Sequence, residues 1–557
     1  MKSVIGSFII VYLLIQSHFI FAQCLGLNDI QEGPIEDSWA VVEDDQQNIY
    51  TCGVFNDSAR FDTVLLTNPN HASTIFLNKY DPQGHLILSR SYASSGSFDF
   101  SPRLAYYADT IYMLGALKNG ILELDTGLVD ASANKKLFLA ALTANGQLIW
   151  LKQYSSTKSV QGLGLYVDDK FIYIAGRFNG IFDFGQNSFQ SPQKLHAYIG
   201  KLNHSGNLLW MREGKSTRGR AWSIISDHNY NVLVGGYYYD SITYDGVHVI
   251  KSIVQALDAY VAKFDSDGNC LWITGQTDGL GFATFYSIAV DSSNNIYATT
   301  PIGYSAFINN TWYYGDTVGY VLLCKLDENG NFQWVHPFGT ITYNFSGSIA
   351  WATSVIVDNS NNIWAVGQAI WEITIDSIFY KGHLNSSDWF ALKYDENANL
   401  LEYHFLGGRG QEITYGATLS DGYNPLIVGY TSSDTIYSDT DTIEAPGTNG
   451  SKRFILWKIC SKPVVGLHSN IDTKHELTAF PNPASGDISI SFTGFENKPY
   501  VLRLFNSAGQ PVLMKDIQIS VENQTTILKT NALESGLYFI HVTDGDQSFT
   551  CPVVIVH

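Results

Sequence analysis

The chain has 557 residues and carries 52 Asp and Glu against 33 Lys and Arg, a formal net charge of −19. That balance repels nucleic-acid phosphates, and no run of Lys and Arg along the sequence offsets it, which argues against a nucleic-acid partner. With 45% hydrophobic residues, 14% aromatics and only four Met, the composition is that of a large β-rich chain of more than one domain.

The first residues read as an export signal. Met1 and Lys2 give a charged start, Val4 to Ile15 an apolar centre, and Ala22 a small residue before a cleavage site between Ala22 and Gln23. The alternative is an uncleaved anchor, which Gln16 and His18 interrupt. No later segment approaches the roughly 20 apolar residues that cross a bilayer, so no transmembrane segment is expected in the mature protein.

Between Asp37 and Ile459 a unit of about sixty residues recurs seven times, and a fixed period dictates architecture before any single residue does. Each copy has an apolar strand ending in Asp, a polar turn, Ile-Tyr or Ile-Trp running into Gly, a variable stretch, then Lys-x-Asp-x-x-Gly-Asn and a strand with Trp. Clear copies run Ser287 to Asp291, Asn295 to Tyr297 and Lys325 to Gly330, and again Val355 to Asp358, Asn362 to Trp364 and Lys393 to Asp395. The turn glycine falls at Gly84, Gly146, Gly206, Gly268 and Gly330, with Ala398 in its place in the sixth copy. Within the copies we read an inner strand such as Trp39 to Glu43, a second such as Asn48 to Gly53, a third such as Ile75 to Tyr80 and an outer one such as Gly146 to Lys152. Alternating apolar residues separated by Asn, Asp and Gly turns predict antiparallel hairpins, and four strands per period predict a seven-bladed β-propeller over residues 23–460.

The seventh copy supplies Thr414 to Leu419, Pro425 to Tyr430 and Arg453 to Ile459, then stops before its outer strand. An unpaired edge invites aggregation, so the missing strand is expected from the mature N-terminus, around Leu25 to Ile30. Such a closure brings Cys24 and Cys460 together as a candidate disulfide; the other reading is two unrelated thiols. The six Cys include no C-x-x-C spacing and predict no zinc framework.

Residues 461–476 read as a polar linker, and 477–557 as a compact β domain. Its landmarks are Pro481, Asn482, Pro483 and Gly486, then Asn506 to Gln510 with Gly509, then Gly536 and Tyr538 before a final apolar strand. The prolines fix an extended backbone and the glycines permit tight reversals, which suits a small Ig-like β-sandwich. These motifs, in this order, resemble the C-terminal sorting domain of type IX secretion substrates. Phe549 to Pro552 stand where that family usually carries basic residues. The resemblance implies the type IX secretion machinery as a partner and a place outside the outer membrane of a Gram-negative bacterium, secreted or displayed on the cell surface. The repeat elements Val-x-Asp-x-x-x-Asn-Ile-Tyr and Lys-x-Asp-x-x-Gly-Asn-x-x-Trp similarly resemble the bacterial beta-propeller repeats called SBBP, a resemblance that implies architecture more than activity. The second copy departs from that pattern at Ala141 and Thr143, and the sixth at Glu402.

The chemistry-bearing residues have bland readings beside their sharp ones. Asp44, Asp109, Asp168, Asp227, Asp291, Asp358 and Asp421 follow the first strand of successive copies, and an acid present in every copy is a turn former, since catalytic residues belong to one site. The turns Asp265 to Asn269 and Asp327 to Asn331 open like calcium loops but run directly into strands, so calcium is the lesser reading there and no other cofactor is expected. Trp150, Trp210, Trp272 and Trp334 recur in register and are read as inter-blade packing rather than a sugar ladder. Non-repeated aromatics, Trp312 to Tyr314, Trp371, Trp389 and Tyr237 to Tyr239, are the better ligand-contact candidates. His204, His228 and His404 sit in or beside turns or an outer strand. No nucleophile elbow, His-Glu-x-x-His or phosphate loop is present, so no catalytic residue is assigned. A surface or secreted binding module for an unknown extracellular ligand, glycan or protein, is the leading reading. The others are an extracellular enzyme acting on a polysaccharide or protein and a passive surface component.

Overall fold

The computed structural model describes residues 35–555 except 101, 253–255, 304, 315–319, 340–349, 371, 377, 383–385, 439–441, 445–451, 460–475, 481–483, 485, 494, 496, 507–510, 520–523, 531–532, 534 and 544–547. Ala22, Gln23, Cys24, Leu25 to Ile30, Trp371, Cys460, Pro481, Asn482, Pro483 and Gly509 therefore lie outside the described residues. Contacts divide the chain into two compact units, Met1–Cys460 and Ser461–His557. The described residues are all-β, with strands and turns and no helix, and no helix is long and apolar enough to cross a membrane.

In the N-terminal unit the repeats fold into antiparallel sheets, those of the second and third repeats joined where Ser155 and Ser156 pair with Asp183 and Phe182. The first pairs Ile35–Glu43, Ile49–Phe55, Thr74–Tyr80 and Leu86–Tyr92 in that order. The fourth repeats the plan with Arg220–Ser226, Val232–Tyr239, Leu257–Phe264 and Cys270–Gly275. The seventh has three strands, Glu412–Ser420, Asn424–Thr431 and Arg453–Lys458. The first strands of successive repeats pack side by side, and Glu412–Ser420 returns onto Ile35–Glu43.

That return is made by one core. Val41, Ile49, Phe55, Phe76 and Tyr80 of the first sheet are buried with Leu426, Val428, Phe454 and Leu456 of the seventh. Phe454 meets Phe61 and Phe76 edge-on at 6.3 and 6.1 Å, the arrangement that aromatic quadrupoles favour. Glu43 adds a polar seam, accepting from Ser420 Oγ at 2.5 Å and from the Asp421 N–H at 2.9 Å.

The variable stretch between second and third strands folds too. It forms short outer hairpins such as Ser58–Phe61 with Val64–Thr67 and Ser305–Ile308 with Thr311–Tyr314, where the sequence reading placed only four strands per copy. In the third repeat the same stretch extends the strands themselves to Phe171–Phe184 and Asn187–Asn203.

The repeated motif is the joint between neighbouring sheets. Trp210 Nε1 donates to the Ser266 carbonyl at 3.0 Å, Trp272 Nε1 to that of Glu328 at 3.3 Å and Trp334 Nε1 to that of Glu396 at 3.1 Å. Lys201, Lys263 and Lys325 donate to the same three carbonyls at 3.2, 3.1 and 3.2 Å. Each accepting carbonyl lies in the turn of the next repeat that opens at Asp265, Asp327 or Asp395, so one Lys and one Trp clamp each of these three turns. Gly268 sits beneath the Trp210 ring with φ +82°, where a Cβ would lie 2.7 Å from the indole. Replacing it with Ala is expected to cost roughly 1–3 kcal/mol, read by chemical denaturation. Ala398 holds the corresponding place at φ 64°, and Ala398→Gly is expected to gain about 1 kcal/mol instead.

The C-terminal unit has two sheets. One orders Glu476–Phe480, Ile488–Thr493 and Gln524–Leu528; the other orders Pro511–Gln518, Pro499–Asn506, Gly536–Thr543 and Ser548–Ile555. Ile488, Ile490 and Phe492 of the first are buried against Leu502, Leu504, Ile540 and Val553 of the second. Tyr538 is buried in this core, Gly536 opens its strand, and the Gly486 carbonyl accepts from Thr530 Oγ1 at 2.7 Å.

Candidate functional site

The first strands line a lumen with two chemically different ends. One end, about 450 Å³, is walled chiefly by aliphatic residues such as Val42, Val167, Val290 and Val357. The other, about 520 Å³, is lined by Arg103, Trp222, Tyr286, Trp351, Gln368 and Tyr415 among others, with Ser223, Ser287, Thr353 and Thr414 supplying hydroxyls. Val41, Leu104, Leu165, Ile224, Ser287 and Ala417 line both, so the two ends share one wall. No Asp or Glu is among the described residues lining the larger end, in a chain whose net charge is −19.

Trp222 is the centre of that end. It is 8% exposed, packs against Tyr286 at 5.3 Å and Phe100 at 5.9 Å, and its indole Nε1 has no hydrogen-bond partner among the described residues. The Arg220 guanidinium lies 4.5 Å from the Trp222 ring and 5.4 Å from Tyr237, within cation–π range of both. Gln161 Oε1 accepts from Arg177 Nε at 2.6 Å and from Arg220 Nη2 at 3.4 Å, and Arg177 Nη1 reaches Tyr237 OH at 3.5 Å. Arg220 Nε makes no hydrogen bond.

Two arginines thus share one neutral amide. Among the described residues neither is within ion-pair distance of a carboxylate, and Asp99, whose charge reaches both, is paired with Lys118 at 3.2 Å. The pKa of Arg220 is lowered to about 10, chiefly by burial and in part by the Arg177 charge, against the opposing Tyr237, Tyr286 and Asp99 interactions. Arg177 shifts in the same direction, chiefly through burial, with Arg218 adding repulsion. The linear sequence shows no basic cluster because these arginines come from distant positions that only the packed repeats bring together.

The residues singled out by sequence fall in different places. Tyr237 belongs to the site, whereas Tyr238 on the opposite strand face is buried and donates to the Gln276 carbonyl at 2.9 Å. Trp389 is fully buried. Trp312 and Tyr314 stack at 5.8 Å on an outer hairpin, 42% and 65% exposed, away from the residues lining the lumen. His204 and His228 are held against the backbone carbonyls of Asp168 and Asp291 at 2.9 and 3.1 Å, and His404 against Glu402 Oε1 at 2.7 Å.

The repeated acids have intrachain partners. Asp227 Oδ1 accepts the N–H groups of Asn229 and Asn231 at 2.9 Å, and Oδ2 meets Lys263 Nζ at 2.9 Å. Lys79 approaches Asp44 at 3.6 Å and Lys393 approaches Asp358 at 3.0 Å in the same way. At Asp265, Oδ1 accepts from the Asp267 and Asn269 N–H groups and Oδ2 from the Asn269 amide, at 3.0, 2.8 and 2.8 Å, the capping geometry of a tight turn. Asp245, His248 and Cys270 bring ligand atoms within 4.8 Å of one another, a grouping without a sequence spacing to announce it, in which His248 Nδ1 already bonds Asp245 Oδ2 at 2.7 Å.

Two further acids, Asp388 and Glu412, are buried. Asp388 accepts from Tyr380 OH at 2.9 Å and Ser386 Oγ at 3.2 Å. Glu412 accepts from the Gly408 N–H at 3.0 Å and Thr431 Oγ1 at 2.7 Å. Neither is among the described residues that line the larger end.

Comparison with known proteins bears on the two units differently. Residues 478–556 match the family model described as the secretion system C-terminal sorting domain. The tail therefore supports type IX secretion, and with it a secreted or cell-surface-attached protein. No curated protein matches the chain. Among solved structures, an apocarotenoid oxygenase mutant (Trp149Ala) from Synechocystis is similar at 10% identity, with 76% of this chain and 71% of that chain covered and a TM-score of 0.29. An ulvan lyase of polysaccharide lyase family PL25 gives 10%, 76%, 92% and 0.31. A family 43 arabinoxylan arabinofuranohydrolase from Bacillus subtilis gives 9%, 94%, 95% and 0.27. Likenesses this distant assign neither chemistry nor ligand to this chain.

Proposed function

We propose that this chain is a seven-bladed β-propeller of the SBBP repeat type, carried outward by a C-terminal Ig-like sandwich, that binds an extracellular ligand at the larger end of its lumen. The ring reading is supported by the repeat, by the succession of sheets and by the return of Glu412–Ser420 onto Ile35–Glu43. In this reading Leu25 to Ile30 completes the seventh blade and Cys24 pairs with Cys460, which peptide mapping under non-reducing conditions reads directly. Signal cleavage falls between Ala22 and Gln23, and the sorting motif comprises Pro481, Asn482, Pro483, Gly486, Gly509, Gly536 and Tyr538.

The observation that carries the binding reading is the unpartnered Trp222 Nε1 in a cavity wall of hydroxyls, aromatics and arginine. Evolved cores pair their buried polar groups, so a buried donor left unpaired on a residue that lines a cavity marks a place kept for a ligand. An array of glycans and secreted proteins probed with the exported protein tests it. Trp222→Ala is expected to abolish the strongest signal, while Trp312→Ala on the outer hairpin leaves it unchanged. A signal that survives Trp222→Ala, or none on any probe, overturns the reading.

A further inference from the structure

We infer that Asp245, His248 and Cys270 form a zinc site on the outer hairpin of the fourth repeat. The site is independent of the binding reading above, since none of the three lines either end of the lumen. A carboxylate, an imidazole and a thiol each bring a ligand atom within 4.8 Å of the other two. They come from two places in the repeat. Asp245 and His248 stand in the turn between Ser241–Thr243 and Val249–Lys251, and Cys270 opens the outer strand Cys270–Gly275.

The thiol is a departure from the repeat. Two residues after the turn glycine, the first, second, third and fifth copies carry Leu86, Leu148, Leu208 and Phe332, and the sixth has Leu400 after Ala398. In the fourth copy a soft metal ligand replaces that large apolar side chain, beside a turn that supplies Asp and His, and such departures mark functional places. Cys270 is half-buried and in no disulfide among the described residues. Outside the cell a free, accessible thiol is open to oxidation unless something holds it.

The turn is preorganised for a cation. Asp245 Oδ1 accepts the N–H groups of Val247 and His248, both at 2.8 Å, while Gly246 takes φ +81° and donates its N–H to Thr243 Oγ1 at 2.8 Å. Oδ2 is thereby directed at His248 Nδ1, 2.7 Å away. The thiol has a long hydrogen bond, to the Trp272 carbonyl at 3.8 Å. Tetrahedral zinc spaces O, N and S ligands roughly 3.3–3.7 Å apart, so a small opening of the Asp245–His248 pair admits the ion. It takes the place of the proton that pair shares and displaces the proton of the thiol. Carboxylate, imidazole and thiolate together suit zinc, whereas calcium and magnesium take oxygen ligands. Thiolate and carboxylate balance the two positive charges of the ion, and among the described residues no Lys or Arg pairs with Asp245.

An ion can reach these groups from solvent. Asp245 and His248 expose 31% and 39% of their side chains, Val247 between them is 80% exposed, and a Cβ on Gly246 would meet nothing within 4 Å. Three protein ligands leave the fourth position of the tetrahedron to water. The same residue types serve elsewhere as nucleophile, base and orienting acid, but burial and the Asp245 charge push the Cys270 thiol up to about 12, the reverse of an activated nucleophile.

The test is equilibrium dialysis of the exported protein against zinc and its titration with cobalt, after chelator treatment and under anaerobic conditions. One tightly bound zinc per chain is expected, with a thiolate-to-cobalt charge-transfer band and a higher unfolding midpoint in the zinc-loaded protein. Cys270→Leu, which restores the residue of the other repeats, and His248→Ala, on the exposed turn, are each expected to weaken zinc binding by more than the roughly 10- to 100-fold that loss of an outer-shell partner costs. Cys270→Leu also removes the cobalt band. Unfolding midpoints of the metal-free variants verify that each is folded, and if Cys270→Leu is not, His248→Ala and the wild-type cobalt spectrum decide. Less than one zinc per chain, a cobalt spectrum without the thiolate band, or binding that survives either substitution overturns the inference and leaves Asp245 and His248 as a capped turn.

Discussion

Asp227→Ala is expected to destabilise the N-terminal unit by roughly 3–5 kcal/mol at neutral pH, the usual cost of stranding one member of a buried ion pair. Asp227 and Lys263 expose 1% and 6% of their side chains, so neither charge can fall back on water. Burial opposes ionisation of Asp227, but the hydrogen bonds from Asn231 and the Lys263 ammonium prevail and hold its carboxyl below the usual range. A depressed folded pKa contributes stability that is present above the unfolded value of about 3.9 and is lost as pH falls through the folded value. The difference between wild type and variant should therefore shrink once the pH drops below about 4. Chemical denaturation at pH 7 and pH 3 measures both.

The second repeat provides the internal control. There Ala141 occupies the Lys position and Asp109 is exposed, with φ 58°. Asp109→Ala should cost no more than about 1 kcal/mol, the strain of Ala at this positive φ, because no buried ion pair is broken. Equal costs at Asp109 and Asp227 would falsify the ion-pair account and leave the turn alone as the role of this Asp.

These acids show what the sequence made legible. A period of about sixty residues fixes the number and order of the hairpins, because each repeat buries its faces only against its neighbours. The Gly of each Lys-x-Asp-x-x-Gly turn and the following Trp were readable as a turn former and a packing residue. Their partnership was not, because Trp210 closes on the turn of the next repeat, some 56 positions along the chain. The outer hairpins escaped notice because their sequences differ from copy to copy.

The candidate site was the least legible part. Its members, Gln161, Arg177, Arg220, Trp222, Tyr237 and Tyr286, come from three successive repeats and share no local spacing. Tyr237 drew attention only as one of three adjacent tyrosines, and strand alternation sends Tyr238 to the opposite face. A signal did exist: Trp222 and Arg220 occupy inner-strand positions where the fifth and seventh repeats carry Tyr286 and Ile413. Departures from a repeat mark places where the common structural role has been given up.

Glu412→Gln is expected to stabilise the protein at pH 8, on the order of 3 kcal/mol, and to leave stability near pH 4 almost unchanged. Glu412 is fully buried. Burial pushes its carboxyl up to about 7, the Asp388 charge adds to that, and hydrogen bonds from Ser433, Thr431 and Gly408 oppose it. The sign is opposite to that of Asp227. A carboxyl whose folded pKa lies above the unfolded value of about 4.3 favours the fold at low pH, and that contribution is lost progressively as pH rises toward 7. Above that range the charged Glu412 sits at a cost, which the neutral amide avoids while keeping an acceptor for the Gly408 N–H. Denaturation profiles of wild type and variant should converge at pH 4 and separate between pH 5 and 8; parallel profiles would show that the charge is fully satisfied by its donors. The effect reaches the lumen, because Glu412 begins the strand whose next residues, Ile413 to Ala417, line the larger end. Fixing that strand start with the amide should therefore also flatten any alkaline loss of ligand binding, whereas Asp109→Ala, remote from the strand, should not.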